Sequence, residues 1–79
     1  MKAYILVSTE PNAIWNVAET ALRIPSVKTA EAVTGTVDAV ILVEFSKLDD
    51  LGSMIAKIQG LRGVQKTQTL LVVPAPVRE

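Results

Sequence analysis

The chain has 79 residues, 49% of them apolar and 20% charged, with eight basic and eight acidic side chains and neither cysteine nor histidine. Those counts exclude disulfides, a thiol nucleophile, a histidine base and the usual thiolate or imidazole metal sites. They leave no excess of positive charge for a phosphate backbone, so direct DNA or RNA binding is not expected. A single domain this small buries only about 60% of the surface its unfolded chain exposes. The high apolar share therefore implies either a dense core or apolar surface that meets a partner. No apolar run approaches the ~18 residues of a membrane helix, and the opening MKAYILVSTEP is too short an apolar run for a signal peptide. A cytoplasmic protein with no membrane contact is expected.

Residues 2–9, KAYILVST, read as a strand that is apolar on both faces. Ala3, Ile5 and Val7 point one way, Tyr4 and Leu6 the other. Pro11 suits the first position of a helix, where its missing N–H is no loss, with Thr9 or Glu10 flanking the start. Over residues 11–23, Ile14, Val17, Ala18, Ala21 and Leu22 recur at helical spacing. Trp15 and Leu22 share a neighbouring face, so Trp15 marks either a ligand pocket or plain core or interface surface. Pro25 ends this helix near Ile24.

Residues 26–34 form a weaker strand whose Lys28 and Glu31 suit an exposed or edge position. Residues 37–45 carry the strongest strand signal. Val37, Ala39, Ile41, Val43 and Phe45 make one continuous apolar face. The other face, Asp38, Val40, Leu42 and Glu44, is a short apolar patch bounded by two acids. Ser46 is placed to cap a second helix, with Asp49 and Asp50 in its first turn, where negative charge suits the exposed N–H groups. Leu48, Leu51, Ile55 and Ile58, with Met54, supply its buried stripe. Gly52 weakens its early turns by up to ~1 kcal/mol relative to alanine, and Gly60 and Gly63 end it. Residues 64–73 form the last strand. Pro74 and Pro76 discourage further sheet pairing, so one domain is expected over residues 1–74, followed by a C-terminal tail over 75–79.

The order βαββαβ predicts an α+β, ferredoxin-like sandwich: an antiparallel four-stranded sheet with both helices on one face. The other sheet face has no cover of its own. Tyr4, Leu6, Val40 and Leu42 belong to it, together with either Leu70 and Val72 or Leu71 and Val73. Burying such side chains stabilises by about 25 cal/mol per Å² removed from water, so this face is a reason to dimerise sheet to sheet, with further assembly into rings.

VTGTVDAVILVEF at residues 33–45, the following DDL, GLRGVQKTQTLLVV, the opening YILVSTEP and the segment IPSVKTAEAVTG together resemble one known module. It is the effector-binding (RAM) domain of the Lrp/AsnC family of feast/famine transcriptional regulators. The resemblance covers nearly the whole chain in the right order. Typical members carry a helix-turn-helix DNA-binding domain before this module, for which the chain has no room, so the resemblance implies a stand-alone version. It also implies homodimers joined through their sheets, built into octamers, decamers or related rings, that bind amino acids or similar small effectors between dimers. Gly35 and Asp38 match the family's pattern in the connection between the second and third strands, and Thr67 and Thr69 match threonines of the last strand. These four are the effector-binding candidates. A glycine allows close backbone approach, an aspartate can accept hydrogen bonds from an α-ammonium group, and threonine hydroxyls can donate or accept. Each also has a plain structural alternative: Gly35 for the turn, Asp38 as a cap on that turn, the two threonines as cross-strand partners.

Without a DNA-binding domain, the expected partners are the chain itself, a small effector and a full-length Lrp/AsnC regulator in mixed assembly. No cofactor or metal is expected. Two other functions compete. One is a purely structural or protein-interaction oligomer. The other is a small enzyme such as a cofactor-free monooxygenase or isomerase, for which Asp38, Glu31 or Glu44 could act as base and Tyr4 as acid. The residue inventory disfavours catalysis, because the familiar acid–base groups are missing.

Overall fold

The structure is a computed structural model, and it describes residues 1–76. Its elements run β1 (Lys2–Thr9), α1 (Ile14–Ala21), β2 (Val27–Ala32), β3 (Ala39–Glu44), α2 (Leu48–Gln59) and β4 (Val64–Leu71). The four strands form one sheet in the order β2-β3-β1-β4, and each neighbouring pair is antiparallel. This is the expected ferredoxin-like sandwich. Each strand is shorter than or equal to its expected span, because the hairpin and turn residues at their ends leave the ladder. Residues 77–79 of the expected tail lie outside the described residues; Pro74, Ala75 and Pro76 belong to no helix or strand.

Period-two alternation sorts the sheet into two faces. Ala3, Ile5 and Val7 of β1 and Ala39, Ile41 and Val43 of β3 are wholly buried, in register with one another. Val17 and Ala21 of α1 and Leu51, Met54 and Ile58 of α2 complete that cluster, with Phe45 closing one end. Fully burying a Val or Ile side chain is worth about 1.5–3 kcal/mol relative to exposure, so this layer holds the fold together. Alanines at positions 3, 21 and 39 let the helices sit close to the strands.

The same turn recurs at three junctions. At Glu10–Ala13, Ile24–Val27 and Leu61–Val64, the fourth residue's N–H donates to the first residue's carbonyl, at 3.1, 3.2 and 3.1 Å. In each, the third residue has positive φ: Asn12 at 72°, Ser26 at 79° and Gly63 at 94°. Proline precedes Asn12 and Ser26, the arrangement of a type II turn. Pro11 is therefore a turn residue and not the first residue of α1, which starts at Ile14 with Ala13 before it and no side-chain cap. Gly63 is needed twice over: a Cβ there would lie 2.6 Å from the Ala13 Cβ.

Two further expectations fail at α2. Ser46 does not cap it; the helix follows Lys47, with no side-chain capping bond, and Asp49 and Asp50 occupy the first turn as expected. Leu48 is 58% exposed, because the first turn of α2 runs past the edge of the core before Leu51 turns inward.

Candidate functional site

The loop between β2 and β3 carries the first two candidates. Val33 donates its N–H to the Asp38 carbonyl at 2.9 Å, closing a loop over residues 34–37. Gly35 sits at its tip with φ of 132° and open space where a side chain would project. The glycine therefore answers to backbone conformation and not to crowding. Asp38 is half-buried and well held. Its N–H donates to the Val7 carbonyl at 2.9 Å, and its Oδ2 accepts the Thr9 N–H at 2.8 Å. The carboxylate thus secures the end of β1, a neighbouring strand, and does not cap its own turn. No lysine or arginine pairs with it among the described residues.

Thr67 and Thr69 occupy β4, opposite Val7 and Ile5 of β1. Their side chains share the helix side of the sheet with those residues. Thr67 has a partner that sequence spacing does not reveal: the Gln59 side-chain amide, at the end of α2, donates to its hydroxyl at 3.1 Å. Thr67 is therefore tied to a helix and not to a cross-strand side chain. Gly35 and Asp38 on one hand, and the two threonines on the other, lie on opposite sides of β1, about two strand spacings (roughly 10 Å) apart. One chain alone brings the members of each pair together but does not join the pairs.

Thr9 joins the first pair. It is the one buried polar residue among those described; Asp38 holds its N–H, and its hydroxyl donates to the Glu10 carbonyl at 3.1 Å. Its place directly before Glu10-Pro11 marks it as a strand end, but no sequence signal ties it to Asp38.

Two concavities on the described surface are lined by residues other than the four candidates. The larger, about 960 Å³, opens at the end of the sheet where β1 begins, between the ends of β3 and β4 and the face of α2; Lys2, Lys28, Glu44 and Lys57 are among its lining. The smaller, about 490 Å³, is a groove between α1 and β2. No group of three or more metal-capable side chains occurs among the described residues, and no helix there is long and apolar enough to cross a membrane.

The uncovered face of the sheet holds Tyr4 and Leu6 of β1, set against Leu42 and Val40 of β3. Leu70 lies opposite Tyr4, while Leu71 lies opposite Ala3 on the helix side. Leu70 with Val72 is thus the pair that extends this face. Glu31 and Thr29 of β2, and Gln68 and Lys66 of β4, flank the apolar strip with polar groups.

The family described as Lrp/AsnC ligand binding domain matches this sequence over residues 2–79. Among solved structures, TTHA0845 from Thermus thermophilus is 31% identical, with a TM-score of 0.89 and coverage of 98% of either chain. The hypothetical protein PHS023 from Pyrococcus horikoshii is 33% identical, with a TM-score of 0.86 over 94% of this chain and 90% of that one. A likeness of fold alone links the chain to the transcriptional regulator NMB0573 from Neisseria meningitidis, solved as an L-Met complex: 22% identity, a TM-score of 0.82, and coverage of 98% of this chain and 52% of that one. Among curated proteins there is no match.

Proposed function

The chain belongs to the Lrp/AsnC ligand binding domain family, a small-molecule-binding module linked to transcription regulation, and on that premise we propose that it binds an amino acid or similar zwitterion beside Gly35 and Asp38, at a site completed by another copy of the chain. The observation that carries this reading is Asp38. Its carboxylate is half-buried and oriented through one oxygen by the Thr9 N–H, and no cationic side chain pairs with it among the described residues. An α-ammonium group would supply the missing cation through a charge-assisted hydrogen bond to the other oxygen. The open backbone at Gly35 leaves its N–H accessible to the effector's carboxylate. The L-Met complex of the Neisseria regulator supports an amino acid as the ligand class.

The site needs a second copy because β1 separates Gly35 and Asp38 from Thr67 and Thr69 within one chain. Thr67 and Thr69 belong to it as groups offered by a neighbouring copy. Self-association follows from the uncovered strip of Tyr4, Leu6, Val40 and Leu42, which pairs sheet to sheet in a dimer that can build further into a ring. Mixed assembly with a full-length regulator of the same family is the route by which the bound state would reach a promoter.

Thermal unfolding at fixed protein concentration, with each common amino acid in turn, tests the ligand. A compound that binds only the folded form adds about 2.7 kcal/mol of stability at one hundred times its dissociation constant. A selective, saturable rise in melting temperature that Asp38→Ala abolishes is expected. No shift from any amino acid, with the oligomer intact, would instead make the chain a structural module.

A further inference from the structure

Gln59 is the last residue of α2, and its neighbours fix its place. Ile58 before it is wholly buried in the core. After it, the Gly60 and Leu61 N–H groups donate to the Ala56 and Ile58 carbonyls, each at 3.1 Å. From this anchored helix end the Gln59 amide donates an N–H to the Thr67 hydroxyl oxygen at 3.1 Å. It is the one hydrogen bond between two uncharged side chains among the described residues. A neutral bond at an exposed position adds little to stability. What it does set is where a hydroxyl hydrogen goes.

A threonine hydroxyl has one hydrogen and two lone pairs. The Gln59 N–H takes one lone pair of Thr67, and the Thr67 hydrogen has no acceptor among the described residues. An N–H donating to a hydroxyl also polarises it, which makes its O–H the stronger donor. Thr69 lies on the same side of β4, two residues and roughly 6.8 Å further on. Its hydroxyl makes no hydrogen bond among the described residues, so it turns to donate or to accept. Of the two hydroxyls, only that of Thr67 is preset.

We propose that Gln59 is a positioning residue of the ligand site: it orients the Thr67 hydroxyl so that its hydrogen is offered to an acceptor oxygen of the effector. The inference rests on the reading above, in which Thr67 of a neighbouring copy contributes to that site. The acceptor oxygen belongs either to the effector's α-carboxylate or to a carboxylate or amide on its side chain, and both present the same chemistry to a donor. An apolar group at that point would leave the hydrogen unpaired, and a site built to donate discriminates against such a ligand. Gln59 itself touches Thr67 and acts on the ligand only through it.

The test is a double-mutant cycle on affinity, read by titration calorimetry with each common amino acid. Gln59 is exposed and Thr67 half-buried, so their variants should fold, which circular dichroism checks. In Gln59→Glu the side chain accepts where it formerly donated and draws the Thr67 hydrogen to itself. About a tenfold loss of affinity is expected. Gln59→Met keeps the length without a hydrogen bond and should lose less. In a Thr67→Val background both substitutions should change little, because no hydrogen is left to direct. A direct repulsion between the new carboxylate and the effector would persist there. Weakening of L-Asp, L-Asn, L-Glu and L-Gln but not of L-Leu or L-Met would place the acceptor on the side chain. Equal weakening of every amino acid that binds would place it on the α-carboxylate. Unchanged affinity in Gln59→Glu overturns the proposal and leaves the ligand reading standing. So does a loss just as large in the Thr67→Val background. Wild-type protein that binds no amino acid overturns both.

Discussion

The two faces of the sheet are made from the same strands, and adjacent residues of β3 show how differently they are treated. Ile41 is wholly buried beneath the helices, while its neighbour Leu42 is half-buried and points to the opposite face, which no helix among the described residues covers. Antiparallel sheets with one face in water ordinarily alternate apolar with polar residues. Here both faces are apolar at their centre, and polar residues appear only toward the flanks of the open one. The covered face specifies the fold of one chain; the open face has the composition of a surface meant for another chain.

The largest effect should come from breaking the covered face. Ile41→Ala removes a fully buried side chain from the centre of the core and is expected to destabilise by about 2–5 kcal/mol, read by chemical denaturation. Leu42→Ala, measured at a concentration low enough to populate the single chain, should fall well below that; an equal loss would erase the distinction between the faces. Gly63→Ala comes next on the helix side. It forces a Cβ to within 2.6 Å of the Ala13 Cβ at a φ of 94°, and about 2 kcal/mol should be lost. Gly35→Ala meets no neighbour, so only backbone strain of about 1 kcal/mol remains. A larger thermal loss at Gly35 than at Gly63 would contradict the packing described for the α1–β4 junction. Smallest of all is Glu19→Ala, which removes an exposed pair with Arg23 at 3.4 Å and should change stability by less than ~0.5 kcal/mol.

The two faces were legible in the sequence because period two is a strong signal and β1 and β3 obey it without a break. Residues 3, 5 and 7, and 39, 41 and 43, all lie on the expected side. The junctions were less legible, since proline has two uses. Pro11 reads equally as a helix start or a turn, and Asn12, which tolerates positive φ, decided for the turn. Ser46 failed as a cap because composition favours such a residue at a helix start but cannot fix which residue begins the helix; α2 starts one residue later. Leu48 has the right spacing for the core stripe yet lies beyond the core's edge, a matter of where the sheet ends and not of helical period.

The candidate site was legible residue by residue but not as an arrangement. Asp38 stood out as an acid entering an apolar strand, yet its partner is the backbone of Thr9, 29 positions away. Thr67 stood out on its strand, yet its hydroxyl goes to Gln59 at 3.1 Å, a partner set by how α2 returns to β4. Local patterns cannot show that β1 separates Asp38 from Thr67, which only the strand order reveals.

The most direct test is the solution mass of the wild-type chain beside Leu42→Asp, with circular dichroism to confirm that both are folded. An uncovered apolar face built for a partner predicts a wild-type oligomer of two or more chains. It also predicts that a charge at position 42 leaves a folded but smaller species. A wild-type protein that remains a single chain even when concentrated would contradict the account, as would a Leu42→Asp variant whose assembly is unchanged.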